Sequence, residues 1–334
     1  MKDLHSSQGK EQVITAQGRQ LVLPVNLFNF FLKYNTIIIF GLLIIMASSL
    51  SEVFFTDKNI LNLLRQSAAI GIISMGMLLV IMTGGIDLSV GSFLALGSVL
   101  MAFFLQSYSL PVALLFTLAI GIVLGSISGY LVAYRNMASF VATLAMMTVA
   151  SGLAFIVSKG SPIMIDNLAV TMFDRSYFLG IPSPVIVMFV FFFITVFILR
   201  RTVYGRLLKA IGSNESAVVL SGVKTHYYKF SVYSISGALA VVGGVLTTAR
   251  TGVGSPLVGA GMELDAIAAV VIGGAALNGG RGTALNTLMG VFILALIGNI
   301  MNLMNVPAYP QQVIKGAIIV FAVLFQAVQQ KRRI

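Results

Sequence analysis

Residues 111–134 read PVALLFTLAIGIVLGSISGYLVAY, a long run without a single charged side chain. A helix needs about 20 predominantly apolar residues to cross a bilayer core roughly 30 Å thick, so this run is predicted to span a membrane. Gly121, Gly125 and Gly129 recur at every fourth position. This spacing is typical of helices that pack closely against a neighbour in the membrane.

The composition of the whole chain also indicates a membrane protein. Of the 334 residues, 58% are hydrophobic and 9% are charged, and the mean hydropathy is +0.99. Soluble domains carry about 25% charged residues. The chain has no cysteine, which excludes disulfides and thiolate metal sites. His5 and His226 lie far apart in polar segments and do not suggest a metal site.

Apolar runs along the chain predict an all-α polytopic membrane protein with about ten transmembrane helices. The runs lie at residues 34–50, 67–83, 88–105, 111–134, 138–157, 184–199, 230–249, 264–277, 283–304 and 311–328. Most of the 21 lysines and arginines then fall on the side of the amino terminus. By the positive-inside rule, both termini are predicted to be cytoplasmic.

This topology predicts a cytoplasmic tail over residues 1–33, a membrane domain over 34–329 and a basic cytoplasmic tail over 330–334. The longest cytoplasmic loop covers residues 200–229. We attribute the net charge of +11 to the basic loops that orient the chain in the membrane and face membrane lipid. No nucleic-acid partner is expected.

An aspartate interrupts the apolar pattern in the stretch MTGGIDLSVGS, residues 82–92. Gly84 and Gly85 suit a helix C-terminus and Asp87 suits an N-cap, so one interpretation is a capped turn with its charge near water. The other interpretation is functional, because an ionisable group at membrane depth costs about 2.5–3.5 kcal/mol and usually faces a cavity or a partner. Both interpretations fit the local sequence.

A second stretch repeats this arrangement of a carboxylate followed by small residues. Residues 261–278 read GMELDAIAAVVIGGAALN and place Glu263 or Asp265 at the junction of two apolar runs. The glycine pair Gly273 and Gly274 follows at the end of the second run.

The two stretches predict a division of the chain into two inverted five-helix halves. In that division, Asp87 lies on the inner side of the membrane and Asp265 on the outer side. The runs 67–83 and 264–277 are both short for a bilayer. Short segments at matching positions in two halves indicate a transport site, so the sequence favours a transporter.

No catalytic constellation stands out in the sequence. Residues 273–283, GGAALNGGRGT, lack the Gly-Lys-Ser/Thr ending that holds phosphate and magnesium. They predict a tight turn between the eighth and ninth helices. The chain is therefore not expected to be an enzyme or to hydrolyse ATP itself.

The loop over residues 200–229 reads RRTVYGRLLKAIGSNESAVVLSGVKTHYYK. Ser213 or Asn214 could cap a short helix through residues 217–220 that ends at Gly222. Such a helix could rest on lipid with its basic neighbours on anionic headgroups. It could equally dock into a cytoplasmic partner, and both interpretations fit the local sequence.

Three motifs in order resemble the membrane permease of bacterial ribose-type ABC importers. They are TGGIDLSVGS at 83–92, AIGSNESAVVLSGV at 210–223, and ELDAIAAVVIGG at 263–274 followed by LNGGRGT at 277–283. The resemblance covers the chain from about residue 34 to the carboxyl end.

The resemblance implies a multi-pass permease of the bacterial inner membrane that imports a ribose-like monosaccharide by alternating access. It implies a homodimer with a second permease copy, a cytoplasmic ATP-binding subunit that holds ATP and Mg, and a periplasmic sugar-binding protein. This chain itself would bind no cofactor. The resemblance also implies a coupling helix in the loop 200–229, which favours docking; the candidate residues are Gly212, Ser213, Asn214, Glu215, Ala217, Leu220, Ser221 and Gly222.

A neutral sugar needs hydrogen-bonding groups that release it easily, which guides the assignment of a path. Asp87 would both cap a helix and form part of the gate. Asp87 and Ser89 would form or gate the inner end of the path, and Glu263 and Asp265 would shape its outer end or receive the binding protein. Gly84, Gly85, Gly273 and Gly274 would allow close helix approach or hinge motion.

Three competing hypotheses remain at the level of sequence. The first is an ion-coupled secondary transporter of a small polar solute, because such proteins also use inverted repeats and buried carboxylates. The second is an exporter or channel subunit of the same fold. The third, a membrane-embedded enzyme, is disfavoured because no catalytic residue set is visible.

Overall fold

The computed structural model describes the backbone of residues 13–16, 19–22 and 25–331, and the side chains of residues 36–321 and 324. The helices are α1 (Val25–Leu50), α2 (Asp57–Met82), α3 (Val90–Leu105), α4 (Leu110–Ala133), α5 (Ser139–Ser158), α6 (Leu168–Arg175), α7 (Ser183–Arg201), α8 (Val203–Ser213), α9 (Glu215–Leu220), α10 (Thr225–Thr251), α11 (Met262–Ile272), α12 (Ala284–Leu303) and α13 (Ala308–Lys331). The strands are β1 (Val13–Ala16), β2 (Arg19–Val22), β3 (Ile163–Met164), β4 (Tyr177–Phe178), β5 (Ile181–Pro182) and β6 (Val253–Gly254).

Every apolar run predicted from the sequence coincides with a helix in the described part of the chain. Among the described residues, six helices are long and apolar enough to cross a membrane, and these are α2, α4, α5, α7, α10 and α12. Two more apolar helical segments, Thr36–Leu50 and Val90–Leu105, are shorter. The predicted class, a mostly helical polytopic membrane protein, is confirmed. The number of ten crossings and the orientation of the termini remain predictions.

Helix lengths correct one detail of the sequence argument. α2 has 26 residues, about 39 Å at 1.5 Å per residue, and is not a short segment. It begins at Asp57 because the side chain of Thr56 caps its first turn by accepting from the backbone N–H of Asn59. The short apolar helices are α3, with 16 residues, and α11, with 11.

Short strands modify the all-α prediction. β3 pairs with β6, and β4 pairs with β5, each over two antiparallel residues. β1 and β2 form a longer antiparallel pair near the amino terminus. Pairings of two residues leave no periodic pattern in a sequence, so they were not expected.

The predicted tails can be compared only in part. α1 already begins at Val25, before the predicted boundary of the tail at residues 1–33. Within that tail, residues 1–12, 17–18 and 23–24 lie outside the described residues. Within the predicted tail at 330–334, residues 332–334 lie outside them as well.

α10 lies at the centre of the bundle, where it contacts α2, α3 and α4. The glycines of α4 allow one of these contacts. A Cβ added to Gly125 would lie 3.1 Å from the Cα of Gly237 on α10 and would collide with the carbonyl oxygen of Tyr233. The prediction that the four-residue glycine repeat serves helix packing is therefore confirmed.

Candidate functional site

Three non-helical segments meet at one end of the bundle: the α2–α3 loop, the α8–α9 junction and the α11–α12 turn. Gly212 packs against the carbonyl oxygen of Met82 and against the backbone of Gly279 and Gly280. A Cβ at Gly212 would collide with this backbone. The N–H of Gly280 donates to the carbonyl oxygen of Met82 at 3.0 Å. We call this end of the bundle the α9 end.

Asp87 lies in the α2–α3 loop with its side chain fully buried. Its Oδ1 accepts from the N–H of Ser89 at 3.0 Å and from the Ser89 hydroxyl at 2.5 Å. Its Oδ2 accepts from the hydroxyl of Ser236 on α10 at 2.7 Å. The interpretation that places this charge near water is therefore wrong. The loop folds into the bundle, and hydroxyl groups replace water around the carboxyl group.

The predicted cap is also corrected. The N-cap of α3 is Ser89, whose own side chain makes no capping hydrogen bond, and Asp87 instead accepts the N–H of Ser89. The carboxyl group thus ties together the loop, the start of α3 and the middle of α10.

The first turns of α5 hold the backbone of this loop. The N–H of Ile86 donates to the hydroxyl of Ser139 at 3.2 Å. The N–H of Leu88 donates to the hydroxyl of Thr143 at 3.1 Å. Because buried backbone donors need partners, these two hydroxyls allow irregular backbone to persist inside an apolar bundle.

The glycine pair before Asp87 fits the predicted helix end. Gly84 has φ +81°, and its N–H donates to the carbonyl oxygen of Ile81 at 2.9 Å, which ends α2. Gly85 is buried below Tyr233 of α10, and a Cβ there would collide with the Tyr233 hydroxyl.

A cavity of about 220 Å³ opens beside this loop at the α9 end. Its lining is mainly polar and comes from the loop, α4, the α4–α5 connection, α5 and α10: Thr83, Gly84, Gly85, Val132, Asn136, Met137, Ser139, Lys229 and Tyr233. The surface carries hydroxyl, amide and backbone groups and the ammonium group of Lys229. The arrangement suits a polar, hydrogen-bonding solute better than an apolar one.

A second irregular segment, residues 252–261, connects α10 to α11 and lies along α3. The N–H of Ser255 donates to the hydroxyl of Ser98 at 3.3 Å, and the Thr248 hydroxyl donates to the same oxygen at 2.7 Å. Further along, a Cβ on Gly91 would lie 2.6 Å from the carbonyl oxygen of Gly259. Because Ser98 and Gly91 are about 10 Å apart along a helix, the segment follows α3 back to its first turn.

Glu263 lies at the same place, beside the first turn of α3. A Cβ added to Gly91 would collide with the Glu263 carboxylate, so this side chain lies against the first turn of α3, close in sequence to Asp87. The expectation that the acidic pair of the second half lies across the membrane from Asp87 is therefore corrected for Glu263. The returning segment 252–261 was not predicted, and it brings the starts of α3 and α11 together.

The remaining candidates of the second half have structural partners. Asp265 forms an ion pair with Lys315 of α13 at 3.0 Å. Gly273 allows α11 to approach α12, because a Cβ there would lie 2.5 Å from the carbonyl oxygen of Asn286. Gly274 has φ +82° and turns the chain after α11, as expected for the glycine-rich stretch 273–283.

The short helix predicted in the loop 200–229 is present as α9. The side chain of Asn214 caps it by accepting the N–H of Ala217 at 3.0 Å, and Gly222, with φ +83°, follows its end. Ser213 belongs to α8 and is not the cap. Leu220 is 88% exposed, so α9 presents an apolar side chain outward at this end of the bundle.

Sequence reasoning missed several residues of the site. On α10 these are Lys229, Tyr233 and Ser236, and on α5 they are Ser139 and Thr143. The hydroxyls carry no recognisable signal, because Ser and Thr are common in membrane helices. The spacing of the three α10 residues at i, i+4 and i+7 could have been noticed, since it places them on one helix face.

The opposite end of the bundle carries a charged cluster around Asp174 of α6. Burial raises the pKa of Asp174 above its usual value, while the guanidinium groups of Arg65, Arg250 and Arg175 act in the other direction. The same end exposes large apolar side chains, namely those of Leu168, Met172, Phe178 and Leu179.

Known proteins resemble the chain over most of its length. The family described as "Branched-chain amino acid transport system / permease component" matches residues 59–323. The ribose import permease protein RbsC of Bacillus subtilis (strain 168) is 46% identical over 293 residues, covering 85% of this chain and 89% of the relative. The ribose import permease protein RbsC of Escherichia coli (strain K12) is 39% identical over 298 residues, covering 88% and 93%.

A third relative, the xylose transport system permease protein XylH of Escherichia coli (strain K12), is 31% identical over 342 residues, covering 84% of this chain and 87% of the relative. No solved structure matches the chain at a significant level. These matches confirm the predicted localisation of a multi-pass inner-membrane protein and do not favour the ion-coupled alternative. The chain belongs to this family of transporter permeases, and its resemblance to the permeases of ribose-type ABC importers is confirmed.

Proposed function

We propose that this chain is the membrane permease of an ABC importer that moves a ribose-like monosaccharide into the cytoplasm. The observation that carries the proposal is the arrangement at the α9 end. A buried, hydroxyl-lined loop around Asp87 lies beside a polar cavity, and an exposed capped helix, α9, lies next to both. The ribose and xylose permeases named above support the sugar class.

The cavity at the α9 end is proposed as the cytoplasmic end of the sugar path. Its volume of about 220 Å³ gives room for a single sugar ring and a few waters. Hydroxyl groups of Thr83, Ser139 and Tyr233 and the amide of Asn136 offer hydrogen bonds that a neutral sugar can exchange for water. Such contacts are individually weak, which permits release during transport.

The loop around Asp87 is proposed as the gate of that path. Gly84 and Gly85 line the cavity directly. Asp87 and Ser89 fix the loop to the start of α3 and to the middle of α10. Glu263 supports the same gate from α11, through its contact with Gly91. Asp265, paired with Lys315, would orient α11 against α13.

α9 is proposed as the coupling helix that docks into a separate ATPase subunit. Leu220 and Val219 are 88% and 52% exposed, and the polar residues around them leave the helix accessible. Gly212, just before α9, touches the backbone of Met82, where the α2–α3 loop begins, and of Gly280 in the α11–α12 turn. Movement of a docked α9 would therefore be transmitted to the α2–α3 loop and to the α11–α12 turn. ATP and Mg would be held by the partner subunit.

The topology is proposed as ten membrane crossings with both termini inside, in two inverted halves. Each half contains, in the same order, a long helix, an irregular re-entrant segment and a short helix. These are α2, residues 83–89 and α3 in the first half, and α10, residues 252–261 and α11 in the second half. The assembly is proposed as a homodimer. The charged and apolar surface around Asp174 would receive the periplasmic sugar-binding protein.

The test is sugar uptake by the permease reconstituted in proteoliposomes with its ATPase and binding protein. Radiolabelled ribose should accumulate only when ATP is supplied on the ATPase side, and ionophores that collapse proton and sodium gradients should not reduce the accumulation. Uptake that needs an ion gradient and ignores ATP would move the protein to the class of secondary transporters.

A further inference from the structure

Three side chains on one face of α10 connect α9 to the loop around Asp87. They are Lys229, Tyr233 and Ser236, at positions i, i+4 and i+7 of a continuous helix. This spacing brings residues to the same side of a helix, over about 10 Å between the first and the last.

The first of these residues is joined to α9. The ammonium group of Lys229 forms an ion pair with the carboxylate of Glu215, the first residue of α9. The hydroxyl of Thr225 donates to the other carboxylate oxygen of Glu215 at 3.1 Å. α9 therefore contacts α10 through a charged side chain at its own amino-terminal end.

The other two residues reach the gate loop. The Tyr233 hydroxyl lies directly over Gly85, and Ser236 donates to the carboxylate of Asp87 at 2.7 Å. Lys229 and Tyr233 also line the cavity beside the loop. One rigid helix face thus touches the proposed docking helix at one end and the proposed gate at the other.

We infer that this face of α10 transmits the movement of α9 to the Asp87 loop, with the Glu215–Lys229 ion pair as the joint between the two helices. Lys229, Tyr233 and Ser236 are positioning residues in this scheme. The inference rests on the proposed function, since it requires that α9 is the element moved by the ATPase.

The alternative route from α9 to the gate is the backbone contact of Gly212 with Met82. The ion pair can be changed without altering that contact, because the atoms nearest to Gly212 belong to Met82, Gly279 and Gly280. The side chains of Lys229 and Glu215 are 23% and 41% exposed. Partly exposed ion pairs contribute little to folding stability. Loss of the pair is therefore expected to affect coupling and to leave the fold intact.

The absence of native cysteine makes the movement of the loop measurable. A Thr83→Cys chain, reconstituted with its ATPase and binding protein, is labelled from the cytoplasmic side with a charged maleimide, with and without a trapped nucleotide. The same chain then carries Lys229→Met, Lys229→Arg or Glu215→Gln. Ser234→Ala is the matched control on α10, because Ser234 faces Ser126 of α4 and not the gate.

In the parent and in the Ser234→Ala control, trapped nucleotide changes the labelling rate of the cysteine. Lys229→Met and Glu215→Gln should reduce that change by about fivefold or more, the lower end of usual coupling between two sites. In chains that carry the same substitutions but keep Thr83, sugar taken up per ATP hydrolysed should fall in parallel, while the permease still binds the ATPase. Lys229→Arg and the charge swap Glu215→Lys with Lys229→Glu should restore most of the response.

A Lys229→Met chain that responds to nucleotide as the parent does would overturn the inference and would leave the Gly212 contact as the route. An unmodified chain, with Thr83 in place, that shows no ATP-dependent uptake would instead refute the proposed function. The two failures are therefore distinguishable within one experiment.

Discussion

Replacing Ser236 with alanine removes a single hydrogen bond from a fully buried carboxyl group. The Ser236 hydroxyl donates to Oδ2 of Asp87 at 2.7 Å, whereas both bonds from Ser89 go to Oδ1. Ser236→Ala therefore leaves Oδ2 without its protein donor. Hydrogen bonds to charged groups contribute about 1.5–3 kcal/mol, and an unsatisfied buried group costs a similar amount.

The expected loss in free energy of unfolding is therefore about 1.5–3 kcal/mol, which corresponds to roughly a 10- to 150-fold change in the equilibrium. Denaturation with SDS in mixed micelles, followed by circular dichroism, measures this loss on the purified permease. The control is Ser234→Ala, which removes the neutral hydrogen bond between Ser234 and Ser126 at 2.8 Å. Neutral bonds contribute about 0.5–1.5 kcal/mol.

Under the proposed function, uptake should respond in the same order. Ser236→Ala should lose more transport than Ser234→Ala, because Ser236 contacts the loop around Asp87 and Ser234 does not. If the two variants were equally stable and equally active, Asp87 would not depend on Ser236. The description of a loop fixed by hydroxyls would then be wrong.

Three further substitutions test other contacts. Gly125→Ala forces α4 away from the backbone of α10 and should lower the free energy of unfolding by about 1–3 kcal/mol. The control is Gly152→Ala, whose added Cβ meets no atom within 4 Å and should leave stability unchanged or raise it by about 0.5–1 kcal/mol. Equal effects of the two substitutions would refute the packing argument. Leu220→Asp changes a side chain that is 88% exposed, so the free energy of unfolding should stay within about 0.5 kcal/mol of the unmodified chain. The ATPase should no longer co-purify with this variant. Retained co-purification would contradict docking through α9. Gly91→Ala collides with Glu263 and should abolish uptake while ATPase binding persists; wild-type uptake would show that the contact between the starts of α3 and α11 is dispensable.

Hydropathy alone was sufficient to locate the apolar helices, whereas the short helices α6 and α8 were not predicted. Long apolar runs have few alternatives to helix in a bilayer, because every backbone group must find its hydrogen bond within the segment. The α9 helix was also predictable, since Asn214 and Gly222 are local capping signals that require no distant partner. Local signals therefore predicted the positions of the apolar helices and of α9.

The candidate site was predictable only at its centre. Asp87 stands out in the sequence, but its partner Ser236 lies 149 residues away, and nothing in a single sequence pairs the two. The return of residues 252–261 along α3 was equally invisible, because it depends on contacts between Gly91 and Gly259 and on the hydroxyl of Ser98. For this reason, the sequence argument placed Glu263 on the wrong side of the bundle.

The most direct measurement of the central claim is the substrate accumulated by the reconstituted complex of permease, ATPase and binding protein in the presence of ATP. The panel should hold labelled ribose, xylose, a hexose and leucine, since the matching family is described by branched-chain amino acid transport. The account predicts ATP-dependent accumulation of a pentose, which is lost when Glu215→Lys uncouples α9. Accumulation of leucine without any sugar, or of ribose without ATP, would contradict it.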